Sequence, residues 1–303
     1  MEGSLIIVKQ VIALFVAILA GFIARKKSIL RDEVLGGVNA LLMDISMPCL
    51  AFASFQFEFS SEILQNILIM MAGAFLLHLV LTPLSRLIFF HYKDRQLQVL
   101  RFTAIFSNAG FMGLPLISAL LGQEGVLYCS VFLVAFNVFN WTIGVWLYTG
   151  RGGIRMRSLV TCPSLVAVFL GFFFFLLRIP LWEPLSSGIS LVGSLTTPLS
   201  MIIIGARMAD MKLKEVVGDA SMYYAAFVRL ILIPLAVYGV TTMIGLDGVV
   251  RTVLLLCSAM PAAAATTLFA ERYGGDGAYA AKVVFFTTLL SLVTIPAILL
   301  LVG

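Results

Sequence analysis

Apolar residues recur in runs of about twenty, and polar residues gather between the runs. A helix of that length rises about 30 Å, the depth of a bilayer's hydrocarbon core. Ten such runs are predicted as spans, near residues 5–24, 34–55, 66–90, 100–121, 126–148, 160–178, 188–207, 222–244, 249–270 and 280–301. Strict alternation of apolar and polar positions is missing, which argues against an outer-membrane barrel. The pattern predicts an all-α polytopic membrane protein. The first run ends in Ala24-Arg25-Lys26-Lys27, with the charges after it. A secretory signal carries them before its apolar stretch, so this helix is expected to be retained.

The polar residues between spans set the expected orientation. Number the loops one to nine. The odd loops and adjoining helix ends hold Arg25, Lys26, Lys27 and Arg31, then Arg86, Lys93, Arg95 and Arg101, then Arg151, Arg155 and Arg157, then Arg207, Lys212 and Lys214, then Arg272. The even loops hold Arg178 and Arg251 and little else. The positive-inside rule makes the odd loops cytoplasmic and puts both termini outside. The loop "TGRGGIRMRS" is the only plausible internal boundary, giving halves 1–150 and 151–303.

Composition narrows the class. Of 303 residues, 61% are hydrophobic and 12% charged, about half the charge of a soluble domain. The net charge of +5 is split among short loops and makes no patch for nucleic acid. Cys49, Cys129, Cys162 and Cys257 lie in apolar runs without metal-ligand spacing and read as small buried hydrophobes. No phosphate loop with its lysine, no His-Glu-x-x-His pair and no potassium-filter signature occurs. No cofactor or metal is expected, and neither is an enzyme.

Prolines expose an internal repeat. Pro48, Pro83 and Pro115 fall in spans two, three and four; Pro198, Pro234 and Pro261 fall in spans seven, eight and nine, at offsets of 150, 151 and 146 residues. "HLVLTP" (His78–Pro83) resembles "RLILIP" (Arg229–Pro234), and "DISMPCL" (Asp44–Leu50) aligns with "SLTTPLS" (Ser194–Ser200). Each half has five spans, an odd number, so the second enters the membrane from the opposite side. Two inverted five-helix repeats are a layout of many secondary transporters. Span four is expected to break near Asn108–Pro115, where Gly110, Gly113 and Pro115 cluster, and span nine near Ser258–Pro261. If the broken spans meet at the midplane, their half-helix N-termini offer free N–H groups and partial positive charge to an anion. The alternative is a pair of kinks that only shape packing.

These segments carry a family resemblance. "NAGFMGLP" in span four, "MPAAAATTLFAERYG" in span nine, "VNALLMDISMP" with Asn39 and Pro48 in span two, and "TTPLSMIIIGARMAD" in span seven resemble the motifs of the auxin efflux carrier family. That family includes the plant PIN-formed exporters and many bacterial permeases. The resemblance covers essentially all ten spans. It implies crossed, interrupted spans four and nine, as in bile-acid-type sodium symporters. It implies a scaffold of helices 1, 2, 6 and 7 and a transport part of helices 3–5 and 8–10. It also implies a small organic anion, such as malate or malonate, bound at the crossover and carried by an elevator-like motion. Thr266 stands where plant members have a second proline. Cys162-Pro163-Ser164 replaces their Asn-Pro-Asn, so Ser164 stands where an asparagine contacts carboxylate. The long cytoplasmic loop of plant members is absent. These departures argue against auxin.

The candidate site residues follow. Asn108, at the break, offers an amide to a carboxylate or a cap to the next half-helix. Gly110, Pro115, Pro261 and Ala262 shape the crossover, and Ser46 and Thr266 are expected to line it, unless they bond their own i−4 carbonyls. Asn137 and Asn140 share a helix face in span five, for substrate or for interhelical bonds. Asp44 and His78 lie about ten and twelve residues into their spans and are candidate proton carriers, or structural hydrogen-bond partners. Arg229, the repeat counterpart of His78, reads as a residue snorkelling to the cytoplasmic end, or else attracting the anion.

The function expected is a permease for a mono- or dicarboxylate in a bacterial cytoplasmic membrane, driven by protons or by membrane potential. The rivals are a sodium-coupled symporter and a non-transporting sensor or assembly subunit. Sodium coupling wants acids or amides near the crossover, where span nine offers Ala262–Ala265. The partners expected are the anion, protons and the bilayer. A homodimer is compatible with the sequence, which carries nothing to fix it.

Overall fold

Each apolar run folds because a helix satisfies its own backbone where no water is present. The computed structural model describes residues 16–57, 60–150, 161–210 and 219–300, and these are helical apart from turns, short linkers and one isolated β-bridge. The loop "TGRGGIRMRS" beyond Gly150 and the basic residues Arg151, Arg155, Arg157, Lys212 and Lys214 lie outside the described residues, as does most of the first span. In chain order the helices are α1 (residues 16–26), α2 (Asp32–Ala53), α3 (Ser61–Ile88), α4 (Asp94–Ile105), α5 (residues 109–121), α6 (residues 123–149), α7 (Pro163–Leu177), α8 (Glu183–Ala209), α9 (Ala220–Met243), α10 (Gly248–Ala259), α11 (Ala265–Tyr273) and α12 (Gly277–Leu299).

Among the described residues, six helical stretches are long and apolar enough to cross a membrane. Most of the first predicted span lies outside the described residues; the rest of the difference from ten has physical causes. The stretch Ala109–Thr149 runs 41 residues, about 60 Å as one helix, twice what a bilayer needs. It is broken by a kink at Gly122, whose φ of 63° and ψ of −150° suit only glycine, making α5 and α6. α4 and α10, twelve residues each, reach only about 18 Å.

Prolines sit where helices can accept them. A proline inside a helix removes one N–H and presses its ring on the carbonyl four residues back. Pro48, Pro115 and Pro234 each follow a single π-turn that ends two residues earlier, at Ser46, Gly113 and Leu232. The wider turn relieves that clash. Pro115 therefore lies inside the helix of span four, and the break comes before it.

The described residues fall into two compact units. The first draws on Met1–Leu68, Gly110–Val131 and Val160–Met211; the second on Ile69–Ala109, Phe132–Leu159 and Lys212–Gly303. In the first, α2 packs on α7 and α8. Ser46 hydroxyl meets the Thr196 hydroxyl at 2.7 Å and donates to the Val192 carbonyl at 3.0 Å, pinning the π-turn of α2 beside the irregular residue Leu195 of α8. α1 and α8 touch backbone to backbone through Gly21 and Gly205. Small residues permit this close approach, the main source of helix association in lipid. Arg25 ties the end of α1 to Asp32 and Asp210 at 2.5 and 2.6 Å.

Candidate functional site

The second unit contains the interruption in both half-chains. α4 ends at Ile105, and Phe106 turns extended, with φ −110° and ψ 113°. α10 ends at Ala259, and Met260 does the same, with φ −64° and ψ 148°. The two extended segments run antiparallel and pair at Ser107 and Ala262. The Asn108 N–H donates to the Pro261 carbonyl at 2.8 Å, and the Ala263 N–H donates to the Phe106 carbonyl at 3.0 Å. The Ala262 N–H, directed away from this pair, donates to the Thr287 hydroxyl of α12 at 3.2 Å. These groups of the interrupted backbone thus find partners inside the protein, the condition for unwound chain at membrane depth. α5 begins at Ala109, one residue past the paired segment, and α11 at Ala265. The N-terminal ends of both helices therefore start beside the bridge along the chain.

Thr287 does two tasks: its hydroxyl donates to the Val283 carbonyl at 2.8 Å while accepting from Ala262. Thr287→Val keeps the shape and strands a buried N–H, which costs about 1–3 kcal/mol. The melting temperature is expected to fall by a few degrees, while Thr287→Ser stays near wild type.

Arg229 supplies the other closure. It lies in the π-turn Val228–Leu232 of α9 and is only 1% exposed. Its Nη1 donates to the Ala104 carbonyl at 2.8 Å, its Nε to Met260 at 3.0 Å, and its Nη2 to Ser258. These carbonyls belong to the C-terminal ends of α4 and α10, which carry partial negative charge. The snorkelling reading is overturned: the side chain turns inward to the break. The sequence held one signal for it, since Arg229 stands five residues before its proline, as His78 does.

The other candidates divide between the units. Asn108, Pro261, Ala262, Thr266, Asn137, Asn140 and His78 lie in the second; Asp44, Ser46, Gly110, Pro115 and Ser164 lie in the first. Asn108 is 7% exposed. Thr266 is fully buried and its hydroxyl has no hydrogen-bond partner. Asn140 opens the π-turn Asn140–Gly144 of α6; it is 5% exposed and its Oδ1 is also without a partner. That π-turn packs on α11 through Trp141 and Phe269, whose rings lie 5.3 Å apart. Asn137 donates to the Leu133 carbonyl of its own helix at 2.7 Å. His78 Nδ1 bonds the Ala74 carbonyl at 2.8 Å, and the rings of Phe106, Phe132, Phe136 and Phe139 surround it at 5.3 to 6.2 Å. Its Nε2 has no partner. Asp44 is exposed between Met43 and Ile45 on the π-turn of α2. Ser46 is buried and engaged with α8, and Ser164, half-buried, is the second residue of α7. Among the described residues no cluster of His, Cys, Asp and Glu has the makings of a metal site.

Comparison with known sequences places the chain among membrane transporters. The chain is 27% identical over 297 residues to an uncharacterized transporter of Methanocaldococcus jannaschii, covering 94% of this chain and 95% of the relative. It is 26% identical over 302 residues to an uncharacterized transporter of Methanothermobacter thermautotrophicus, covering 95% and 96%. The profile of the family described as membrane transport protein matches residues 6–155 and 152–299, nearly the whole chain. The chain is an integral membrane transporter and belongs to that family, the auxin efflux carrier family.

Proposed function

We propose that this transporter is a permease for a small organic anion, a mono- or dicarboxylate, bound where the interrupted segments pair and carried across the cytoplasmic membrane by an elevator-like motion. The observation that carries the reading is the antiparallel pair Ser107–Ala262, with a helix starting just beyond each strand. Helix N-termini favour anions through their free N–H groups and partial positive charge. Asn108 and Thr266 add side-chain donors, and Thr266 is buried without a partner.

Two contacts favour a pair of inverted five-helix repeats, halves 1–150 and 151–303. Elements related by a two-fold axis meet themselves at that axis and run antiparallel there. Ser46 and Thr196, 150 residues apart, share a hydrogen bond, and Ser107 bridges Ala262 antiparallel. The two compact units favour a scaffold of predicted spans 1, 2, 6 and 7 and a moving part built mainly from the rest. The stretch 110–131 departs from that division, clustering with the first unit. We infer that both termini face outside, and that protons through Asp44 or His78, or membrane potential alone, drive the flux.

Uptake of radiolabelled malonate and malate into proteoliposomes tests the reading. Saturable uptake is expected that responds to an imposed potential or pH gradient and persists when sodium is replaced by choline. Sodium-dependent uptake would favour a symporter instead, and absence of flux for every carboxylate tried, with binding retained, would favour a sensor. Acid stimulation that survives unchanged in both Asp44→Asn and His78→Gln would remove those two residues from the coupling.

A further inference from the structure

We propose that Arg229 is a positioning residue that acts as a fixed internal cation for the paired helix ends, filling the place where a soluble cation would otherwise be held and setting the sign of the neighbouring anion seat. The inference rests on the functional reading above only for its consequence to the anion. Its structural basis stands apart. Four half-helix ends border the two interrupted segments: the C-termini of α4 and α10, and the N-termini of α5 and α11. Each helix end carries about half an elementary charge, negative at the C-terminus and positive at the N-terminus. Unattended, the pairs nearly cancel, and an anion gains little there. In broken-helix transporters the unwound carbonyls and C-terminal ends coordinate small cations such as sodium. Here the carbonyls of Ala104, Ser258 and Met260 are already occupied by the Arg229 guanidinium. One positive charge matches the roughly unit negative charge of two C-termini. The N-terminal ends then act on an anion unopposed.

The chemistry of the side chain fits the task. Among the described side chains, no carboxylate makes an ion pair with Arg229, so its charge faces main-chain dipoles rather than a counter-ion. A planar guanidinium has donors pointing in separate directions and reaches carbonyls on two helices at once, whereas the ammonium of lysine is a single point.

Chemical rescue of the purified full-length protein tests this. The melting temperatures of wild type, Arg229→Ala and Arg229→Lys are followed in millimolar guanidinium chloride, sodium chloride and choline chloride at equal ionic strength. Wild type is expected to respond alike to all three salts. Arg229→Ala is expected to melt several degrees lower and to recover saturably in guanidinium but not in choline. Arg229→Lys is expected to fall between the two. An Arg229→Ala protein as stable as wild type, or moved by guanidinium no more than wild type is, would overturn the proposal. If Arg229→Ala yields no folded protein, Arg229→Lys decides: stability equal to wild type would overturn it, and an intermediate loss supports it. Malonate as probe separates the two readings. If guanidinium restores the stability of Arg229→Ala and malonate then stabilises it, both stand. If guanidinium restores stability while malonate shifts neither wild type nor the variant, the fixed cation stands and the carboxylate reading fails.

Discussion

Carboxylate uptake is expected to fall about a hundredfold when Asn108 is replaced by aspartate, with the melting temperature within a few degrees of wild type. The exchange is isosteric and keeps the backbone bond from Asn108 N–H to the Pro261 carbonyl. What changes is charge. Two like charges about 4 Å apart repel by about 4 kcal/mol at the effective dielectric near a protein surface, and each 1.4 kcal/mol is about tenfold in affinity. A hundredfold loss allows for partial protonation of the new acid and for substrate held somewhat farther off. Asn108→Ala removes a donor without adding charge, and about tenfold is the expected loss. The measurement is initial-rate uptake of radiolabelled malonate in proteoliposomes at neutral pH. Equal uptake by Asn108→Asp and wild type would remove Asn108 from the substrate's surroundings.

Gly205→Leu is expected to leave little folded protein. A Cβ at Gly205 would come within 1.8 Å of the Ile18 carbonyl oxygen and 2.9 Å of the Phe22 nitrogen. The reciprocal position, Gly21, would place one 2.1 Å from the Ile202 carbonyl oxygen. These obstacles are main chain, so no rotamer change relieves them, and α1 and α8 must separate. Overpacking typically costs about 1–3 kcal/mol, and a clash with backbone lies at or beyond the upper end. Gly188→Leu is the matched control on α8, because a Cβ there meets nothing within 4 Å. Size-exclusion profiles and thermal melts of the detergent-solubilised variants check both. A monodisperse Gly205→Leu protein that melts with wild type would mean that α1 does not pack as described.

Much of this was readable in the chain and some of it was not. Hydropathy located the helices because a lipid-buried backbone leaves few alternatives. The interruptions were readable in neighbourhood but not in address. Gly110, Gly113 and Pro115 drew attention to span four, yet the chain unwinds at Phe106–Asn108 and those three residues belong to the helix that follows. A proline lacks the N–H that an early or widened turn does not need, so it marks a helix's opening turns as readily as its fracture. Pro261 behaves otherwise and lies in the unwound segment itself. The two prolines matched by sequence offset therefore hold different places in their spans. Arg229 was misread because depth along a helix cannot say which way a long side chain turns; that depends on carbonyls left open by two other helices. The exposure of Asp44 beside Met43 and Ile45 was equally hidden, since α2 carries apolar residues around much of its girth.

The reciprocal bonds between the two extended segments have a consequence for recognition. The main-chain groups of Asn108, Pro261, Ala263 and Phe106 are committed to each other, the Ala262 N–H to Thr287 and the Met260 carbonyl to Arg229, so the two segments hold one another in place. On the proposed reading, the scaffold of the seat is complete before its occupant arrives. Little ordering entropy is then lost on binding, and selectivity falls to shape and to a few fixed dipoles, as in a mould rather than a clasp.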